Sequence, residues 1–147
     1  MTRMIQFPGS PLQKAIYYRL CELKSVYPNL EITDTPQKDQ VPPFLQIDDI
    51  TSAFDGTQAG CIWDCEPIIH IWTGPDRRLA TQVIGRKFNN ELRDAVFRVL
   101  TQAKLEVEGW YVIFSNYPLH TSCSLDPNGT DYHGILIVRA SLSLLRR

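Results

Sequence analysis

The chain has 147 residues, of which 44% are hydrophobic and 21% are charged, as expected for one globular domain. Its 15 Lys and Arg residues nearly balance its 16 Asp and Glu residues, which argues against a non-specific nucleic-acid-binding protein. No apolar run approaches the ~20 residues of a membrane-spanning helix, and the first residues lack the features of a signal peptide. We expect a protein that is made in the cytoplasm and stays there or enters an assembly formed there.

The first half of the chain predicts one helix, then a strand and a long loop. Residues 1–10 are expected to form a flexible lead-in. Ser10-Pro11-Leu12-Gln13 has the residue types of a helix start, with an N-cap, a first-turn proline and a capping box, and apolar residues follow at helical spacing. A short strand is an option over residues 30–34, and a strand is predicted over residues 44–50. Residues 51–60 are small, polar and punctuated by glycine, so we expect a mobile loop there.

The second half of the chain predicts a long strand, a second helix and two further strands. Residues 61–73 form the longest strand-like run, in which Pro67 cannot donate a backbone hydrogen bond. Apolar residues at helical spacing predict a helix over 77–101. Strands are predicted over 110–117, interrupted at Pro118 with strand character resuming over 121–125, and over 133–144. The order of elements favours an α+β domain. We expect a mainly antiparallel (mixed) sheet of four to five strands with two helices packed on one face.

Charge is divided between two parts of the chain. Residues 31–66 hold eight acids and one base, a net charge of −7, whereas residues 77–104 hold seven bases and two acids, a net charge of +5. Such a chain could associate head to tail with copies of itself, although two ordinary solvated faces would give the same count. The candidate residues for self-association are the bases Arg77, Arg78, Arg86 and Lys87 and the acids Asp48, Asp49, Asp64 and Glu66.

Two pairs of residues that suggest a metal site have unsuitable spacing. Cys61 and Cys65 lie in a predicted strand, where four residues span about 13 Å, so one zinc ion could not bind both sulfurs. Asp48 and Asp49 are adjacent in a strand and point to opposite faces. We therefore expect no metal and no cofactor.

The sequence contains no catalytic motif that we recognise. A G-x-S-x-G elbow, a His-x-x-x-His pair, a phosphate-binding loop and a dinucleotide-binding glycine pattern are all absent. We therefore expect no enzymatic activity. One alternative stays open, because catalytic partners meet in space rather than in sequence: a small cytosolic enzyme that uses His70, His133 and a carboxylate.

Five segments follow one another in an order and spacing typical of one protein family. They are Pro11-Leu12-Gln13-Lys14-Ala15-Ile16-Tyr17, Pro42-Pro43-Phe44-Leu45-Gln46-Ile47, Ile69-His70-Ile71-Trp72-Thr73, Leu92-Arg93-Asp94-Ala95-Val96, and His133-Gly134-Ile135-Leu136 continuing to Arg139-Ala140. With these segments, which span residues 11–144, the chain resembles the tail-completion proteins of long-tailed bacteriophages, prophages and gene transfer agents. These are also called tail terminator or head–tail joining proteins.

The resemblance implies a virion structural protein without catalytic activity. Its subunits would form a ring, commonly a hexamer, that caps the major tail tube protein, ends tail growth and presents a surface to a head-completion (stopper) protein. The ring would lie at the head-proximal end of the tail, assembled in the cytoplasm of the bacterial host. DNA would pass through it without specific binding, and no membrane would be involved. The 51–60 loop would contact the tube or line the channel, with Phe54, Asp55, Gly56 and Gln58 as candidates.

The same resemblance leaves the type of assembly protein open. Another head-completion or minor tail protein would have a similar size and a similar set of helices and strands. We keep this alternative beside the tail terminator, because the sequence does not distinguish the two.

Overall fold

In a computed structural model of the chain, the described residues are 5–56, 60–74 and 83–145, without the side chains of residues 83–85 and 116. Two helices are present in this part: α1 (Gly9–Cys21), which continues as a 3₁₀ turn over Glu22–Ser25, and α2 (Val83–Thr101). The strands are β1 (Glu31–Thr33), β2 (Phe44–Ile47), β3 (Thr51–Phe54), β4 (Ile62–Glu66), β5 (Ile68–Thr73), β6 (Trp110–Leu125) and β7 (Tyr132–Leu144).

The strands form one mixed sheet in the order β1-β2-β5-β7-β4-β3, and β6 pairs with the other edge of β7. The β1–β2 pair is parallel and the remaining pairs are antiparallel. This confirms the predicted α+β class with a mainly antiparallel sheet. The described part of the chain contains seven strands instead of the four to five predicted. The two strands beyond five arise because β3 lies in the segment predicted as a loop, and because the 61–73 run is divided.

Pro67 divides the 61–73 run into β4 and β5. Both strands pair with the same edge of β7: β5 with residues 132–137 and β4 with residues 140–143. Between them, the Pro67 carbonyl accepts a hydrogen bond of 3.1 Å from the Val138 N–H. The proline has no N–H to leave unpaired, so it can occupy this interior position where one strand segment ends and the next begins.

The core lies between one face of the sheet and the two helices. Side chains at alternate positions of the strands point towards the helices, as the period of two in a strand requires. The largest completely buried apolar side chains of this core are Leu12, Ile16 and Leu20 of α1, Leu92, Val96 and Leu100 of α2, and Leu45, Ile69, Ile71, Val138 and Leu142 of the sheet. Each such side chain stabilises the fold by about 1.5–3 kcal/mol relative to its exposed state.

The start of the chain and the 51–60 segment differ from their predictions. Helix α1 begins at Gly9 with Pro8 as its N-cap, so Ser10 lies inside the helix instead of capping it. The preceding residues lie against β4, where the Trp63 Nε1–H donates to the Gln6 carbonyl at 2.8 Å. The loop prediction is wrong for Thr51–Phe54, which form β3 and pair with β4.

Candidate functional site

An aromatic row lies on the outer face of the sheet, the face away from the helices. Phe44, Trp72 and His133 are cross-strand neighbours on β2, β5 and β7. The Trp72 and His133 rings are stacked with their centroids 4.0 Å apart and their planes 3° apart. The Phe44 and Trp72 rings are also stacked, at 6.0 Å. Three strands therefore hold this row in a fixed position.

Beside this row, Asp48, His70 and His133 form a hydrogen-bonded chain. His70 Nε2 lies 2.7 Å from Asp48 Oδ2, and His70 Nδ1 lies 2.6 Å from His133 Nε2. An ionised carboxylate can only accept, so a neutral His70 carries its proton on Nε2 and accepts at Nδ1 from the His133 Nε2–H. This arrangement leaves His133 Nδ1 as the basic nitrogen at the end of the row of hydrogen bonds.

The environment of this cluster shifts two of its pKa values. The hydrogen bond from His70 and that from the Asp49 backbone lower the pKa of the Asp48 carboxyl group. Burial lowers the pKa of His133, the neighbouring His70 lowers it further, and Asp126 opposes the shift. Two protonated imidazoles would place two N–H groups against each other and would break the bond between the rings.

The structure thus brings together His70, His133 and a carboxylate, the groups of the open enzyme alternative. Among the described residues, no three His, Cys, Asp or Glu side chains are arranged to hold a metal ion. None of the described helices is long and apolar enough to cross a bilayer. Sequence reasoning placed Asp48 in a self-association surface and did not link it to the histidines. The available signal was that His70 lies on the same strand face as Ile68 and Trp72, where a polar side chain needs a partner.

A second polar cluster, which sequence reasoning missed, fixes α2 on the sheet. Asn89 is completely buried, and its amide nitrogen donates to the Ile71 carbonyl at 2.9 Å and to the Tyr132 carbonyl at 3.3 Å. Its amide oxygen accepts from Arg93 Nε at 3.0 Å, and Arg93 Nη1 donates to Thr121 Oγ1 at 2.9 Å. Asn89 therefore joins α2 to β5 and β7, and Arg93 extends the contact to β6.

The predicted basic residues of the self-association surface lie at the start of α2 where they are described. Arg86 and Lys87 are exposed, and the Arg86 guanidinium lies 5.4 Å from the centre of the Tyr132 ring. Arg77 and Arg78 lie outside the described residues. Both described bases are therefore accessible to a neighbouring molecule.

The predicted acidic residues are spread over the outer face and the edge of the sheet. Asp48 is bound to His70, as described above, and Asp64 lies 3.3 Å from Arg139. Asp49 and Glu66 are exposed. Asp49 and Glu66 are therefore better placed to meet a second molecule than Asp48 and Asp64, which have partners in their own chain.

The residues predicted for contact with a tube or channel do not share one environment. Phe54 is the last residue of β3, and its ring lies 5.2 Å from the Trp63 ring. Asp55 is exposed and Gly56 is partly exposed, whereas Gln58 lies outside the described residues. Phe54 thus belongs to the edge of the sheet and not to a loop.

No protein-family model matches the sequence, and no curated protein is significantly similar to it. In fold, the chain is similar to a chain of a solved structure described as the virion of a native gene transfer agent particle. The two share a TM-score of 0.75 at 16% sequence identity, over 90% of this chain and 94% of the other. The likeness covers nearly the whole of both chains, so the α+β fold described here also occurs in that particle.

Proposed function

We propose that this chain is a structural protein of a phage-like virion. The observation that supports the proposal is its likeness in fold to a chain of a gene transfer agent virion, with a TM-score of 0.75 over 90% of its length. The resemblance of its sequence segments to tail-completion proteins points to the same class independently of the fold. A structural role in such a particle requires binding surfaces and needs no reaction.

Within that class, we propose a tail terminator. Its subunits form a ring, most simply a hexamer, on the last layer of the major tail tube protein, and the ring ends tail growth and joins the tail to the head through a head-completion protein. DNA passes through the ring, and the net charge of −1 suits a channel that does not hold phosphates. The protein acts at the head-proximal end of the tail after assembly in the host cytoplasm.

The ring requires each subunit to present two complementary surfaces. The exposed bases Arg86 and Lys87 at the start of α2 and the exposed acids Asp49 and Glu66 on the sheet are suitable for such a contact. The same proposed contact includes Arg77, Arg78, Asp48 and Asp64. The two acids should contribute less to the binding between subunits, because each has a partner in its own chain.

The tube contact is assigned to the segment that follows β3. Asp55, Gly56 and Gln58 stay candidates for it, whereas Phe54 contacts Trp63 and is reassigned below. We expect amide exchange of residues 55–60 to slow when tail tube protein is added, with the exchange of β7 unchanged. Equal exchange with and without tube protein would remove this contact from the proposal.

Electron microscopy of the purified protein tests the proposed function. Negative-stain images of the protein alone should show rings. Images of the protein mixed with tail tube protein should show rings at one end of the tubes. Tubes grown in its presence should be shorter and capped. A minor tail protein would decorate tubes without stopping their growth, and a head-completion protein would leave the tube ends free, so the same images distinguish these alternatives.

The Asp48–His70–His133 cluster supports a second candidate function, a small enzyme in which His133 transfers a proton. The hydrogen bonds at 2.7 and 2.6 Å orient both imidazole rings and leave His133 Nδ1 as the nitrogen that accepts a proton. A hydrolase assay with an activated ester, comparing the protein with His133→Phe, tests this candidate. Turnover that is lost in the variant would favour the enzyme over the virion protein.

A further inference from the structure

An open groove lies between α2 and β6 on the helix side of the sheet. Its volume is about 480 Å³. We call it the α2–β6 groove, and its main lining residues are Arg93, Phe97, Pro118, Leu119 and Leu136. Leu136 forms a buried apolar floor, while Leu119 at the rim is 45% exposed. The groove therefore offers apolar surface to a side chain that enters from outside.

The edge strand beside this groove is poorly suited to pairing with another strand. Pro118 has no N–H to donate, and the β6–β7 register shifts on both sides of it, between Phe114 and Tyr117 and between Pro118 and His120. Such irregularities prevent regular addition of a strand. A partner that binds here would therefore insert side chains into the groove rather than extend the sheet.

An exposed aromatic cluster lies at the opposite edge of the sheet. Phe7 and Phe54 each lie 5.2 Å from the Trp63 ring, and they are 54% and 45% exposed. We call Phe7, Phe54 and Trp63 the aromatic edge. Aromatic rings that are half exposed and held by a third ring are typical of protein–protein contacts.

The positions of these two surfaces favour contact between copies of the chain in a head-to-tail arrangement. Trp63 is in register with Leu142, and Pro118 is in register with Val138. Leu142 and Val138 both point towards the helices, so the groove and the aromatic edge lie on the same side of the sheet, at its two opposite edges. Two different surfaces at opposite edges produce a heterologous contact, which closes into a ring when the rotation between subunits allows it.

The charges beside the two surfaces are complementary. Helix α2 contains the bases Arg86, Lys87, Arg93 and Arg98 and the acids Glu91 and Asp94, a net charge of +2, and both Arg93 and Asp94 line the groove. Phe54 and Trp63 lie in a part of the chain, residues 39–76, that contains no Lys or Arg, and Asp55, which follows Phe54, is exposed. Opposite charges on the two surfaces favour a second copy of this chain as the occupant of the groove.

We propose that the α2–β6 groove of one subunit receives the aromatic edge of the next subunit in the ring. This inference rests on the proposed ring and names the two surfaces that form it. Phe54 and Phe7 of one copy lie against Leu119, Pro118 and Phe97 of its neighbour. The exposed Asp55 beside the aromatic edge then faces helix α2, which carries more bases than acids.

Two charged substitutions and their mixture test this pairing. Leu119→Glu blocks the groove and leaves the aromatic edge intact, and Phe54→Glu has the opposite effect. Each variant alone should associate at least about tenfold more weakly than the wild type in size-exclusion chromatography with light scattering. An equal mixture has one intact surface on each partner, so it should form dimers and no rings.

Matched variants outside the two surfaces serve as controls. Leu125→Glu lies on β6 away from the groove, and Val41→Glu lies in a loop; their side chains are 44% and 69% exposed, and both variants should form rings. Phe7→Glu is a second test of the aromatic edge that leaves the strands unchanged. Thermal melting shows whether each variant is folded.

The outcomes separate this inference from the proposed function. Rings of the wild type together with rings of Leu119→Glu or Phe54→Glu would overturn the inference and leave the tail role intact. If each variant forms no rings alone and the two also form no dimers in the mixture, the pairing of these two surfaces is overturned. A wild type that stays monomeric at high concentration, with and without tail tube protein, would overturn both.

Discussion

The amide group of Asn89 occupies the space next to Gly134 that a side chain at position 134 would need. A Cβ atom at this position would overlap the Asn89 amide oxygen and would lie 2.8 Å from Cδ of Arg93. Glycine at position 134 therefore allows a buried asparagine and an arginine to lie directly on β7. This explains physically why the third residue of β7 is a glycine.

Gly134→Ala should destabilise the protein by about 1–3 kcal/mol, because the added methyl group forces Asn89 and Arg93 from their positions. Urea denaturation measures this change. Asn89→Ala should cost a similar amount, since buried carbonyl groups and Arg93 lose a partner. In the Asn89→Ala background the cost of Gly134→Ala should become smaller. Additive costs in the double variant would contradict the proposed steric relationship.

Acidification should destabilise the fold in two separate pH ranges. Burial holds the pKa of His133 below its ordinary value of about 6.5, so the unfolded chain binds this proton at a higher pH than the folded chain does. The free energy of unfolding therefore decreases as the pH drops below about 6.5. The hydrogen bond from His70 lowers the pKa of Asp48, so the stability that it contributes is lost as the pH falls below about 4. Denaturation curves at a series of pH values measure both ranges.

His133→Phe tests the upper range, because phenylalanine can keep the stacking on Trp72 and cannot be protonated. The fall in stability between about pH 7 and pH 5 should become shallower in this variant. Asp48→Asn tests the lower range in the same way. A His133→Phe protein with the pH dependence of the wild type would show that this histidine is not the group responsible.

Charge reversal at Arg86 should weaken ring formation, because an exposed base at the start of α2 is proposed to meet acids of a neighbouring copy. The expected effect of Arg86→Glu is a shift of the assembly midpoint to higher protein concentration, by about tenfold, in light scattering. Lys14→Glu is a matched control, since Lys14 also lies over an aromatic ring, that of Tyr18, at 5.9 Å. Equal effects of the two variants would contradict a specific role of Arg86.

Arg19 stabilises the end of α2 from helix α1. Its Nη1 donates to the carbonyl groups of Val99 and Ala103, both at 3.1 Å, and its Nη2 donates to that of Lys104 at 3.3 Å. Arg19→Met should lower the free energy of unfolding by about 1–2 kcal/mol, because the last carbonyl groups of the helix lose a charged donor. Chemical denaturation measures this loss.

Two comparisons check the role of the guanidinium. Arg19→Lys keeps the charge and loses the planar fork, so it should fall between the wild type and Arg19→Met. Lys14→Met, on the exposed part of the same helix, should change stability by less than about 0.5 kcal/mol. An Arg19→Met protein as stable as Lys14→Met would show that these hydrogen bonds contribute little.

The fold class could be predicted from the sequence because its signals are local. The helical spacing of Leu12, Ile16 and Leu20 and the strand-forming runs around Ile69 and Trp110 identify elements without knowledge of their neighbours. The division at Pro67 was partly visible as well, because a proline interrupts strand pairing. The sequence did not predict that β4 and β5 share β7, because this arrangement depends on pairing between distant segments.

The candidate site could not be predicted because it depends on the register of three strands. Asp48, His70 and His133 meet because β2 and β7 pair with β5 at one particular register, and a shift by one residue would turn each side chain to the other face. Asn89 was predictable in principle. It lies three and seven residues before Leu92 and Val96, on the buried stripe of α2, where a polar residue must find partners.

Strand β7 has a further consequence for how the protein is made. It follows all the other described strands in sequence, yet it pairs directly with β4, β5 and β6, while β4 and β5 make no pair with each other. During synthesis the two wings of the sheet, β1-β2-β5 and β3-β4, are therefore linked through Pro67 but share no strand pairing until β7 has left the ribosome. The complete sheet can therefore form only after residue 144 has been translated, so early parts of the chain lack the strand that unites both wings.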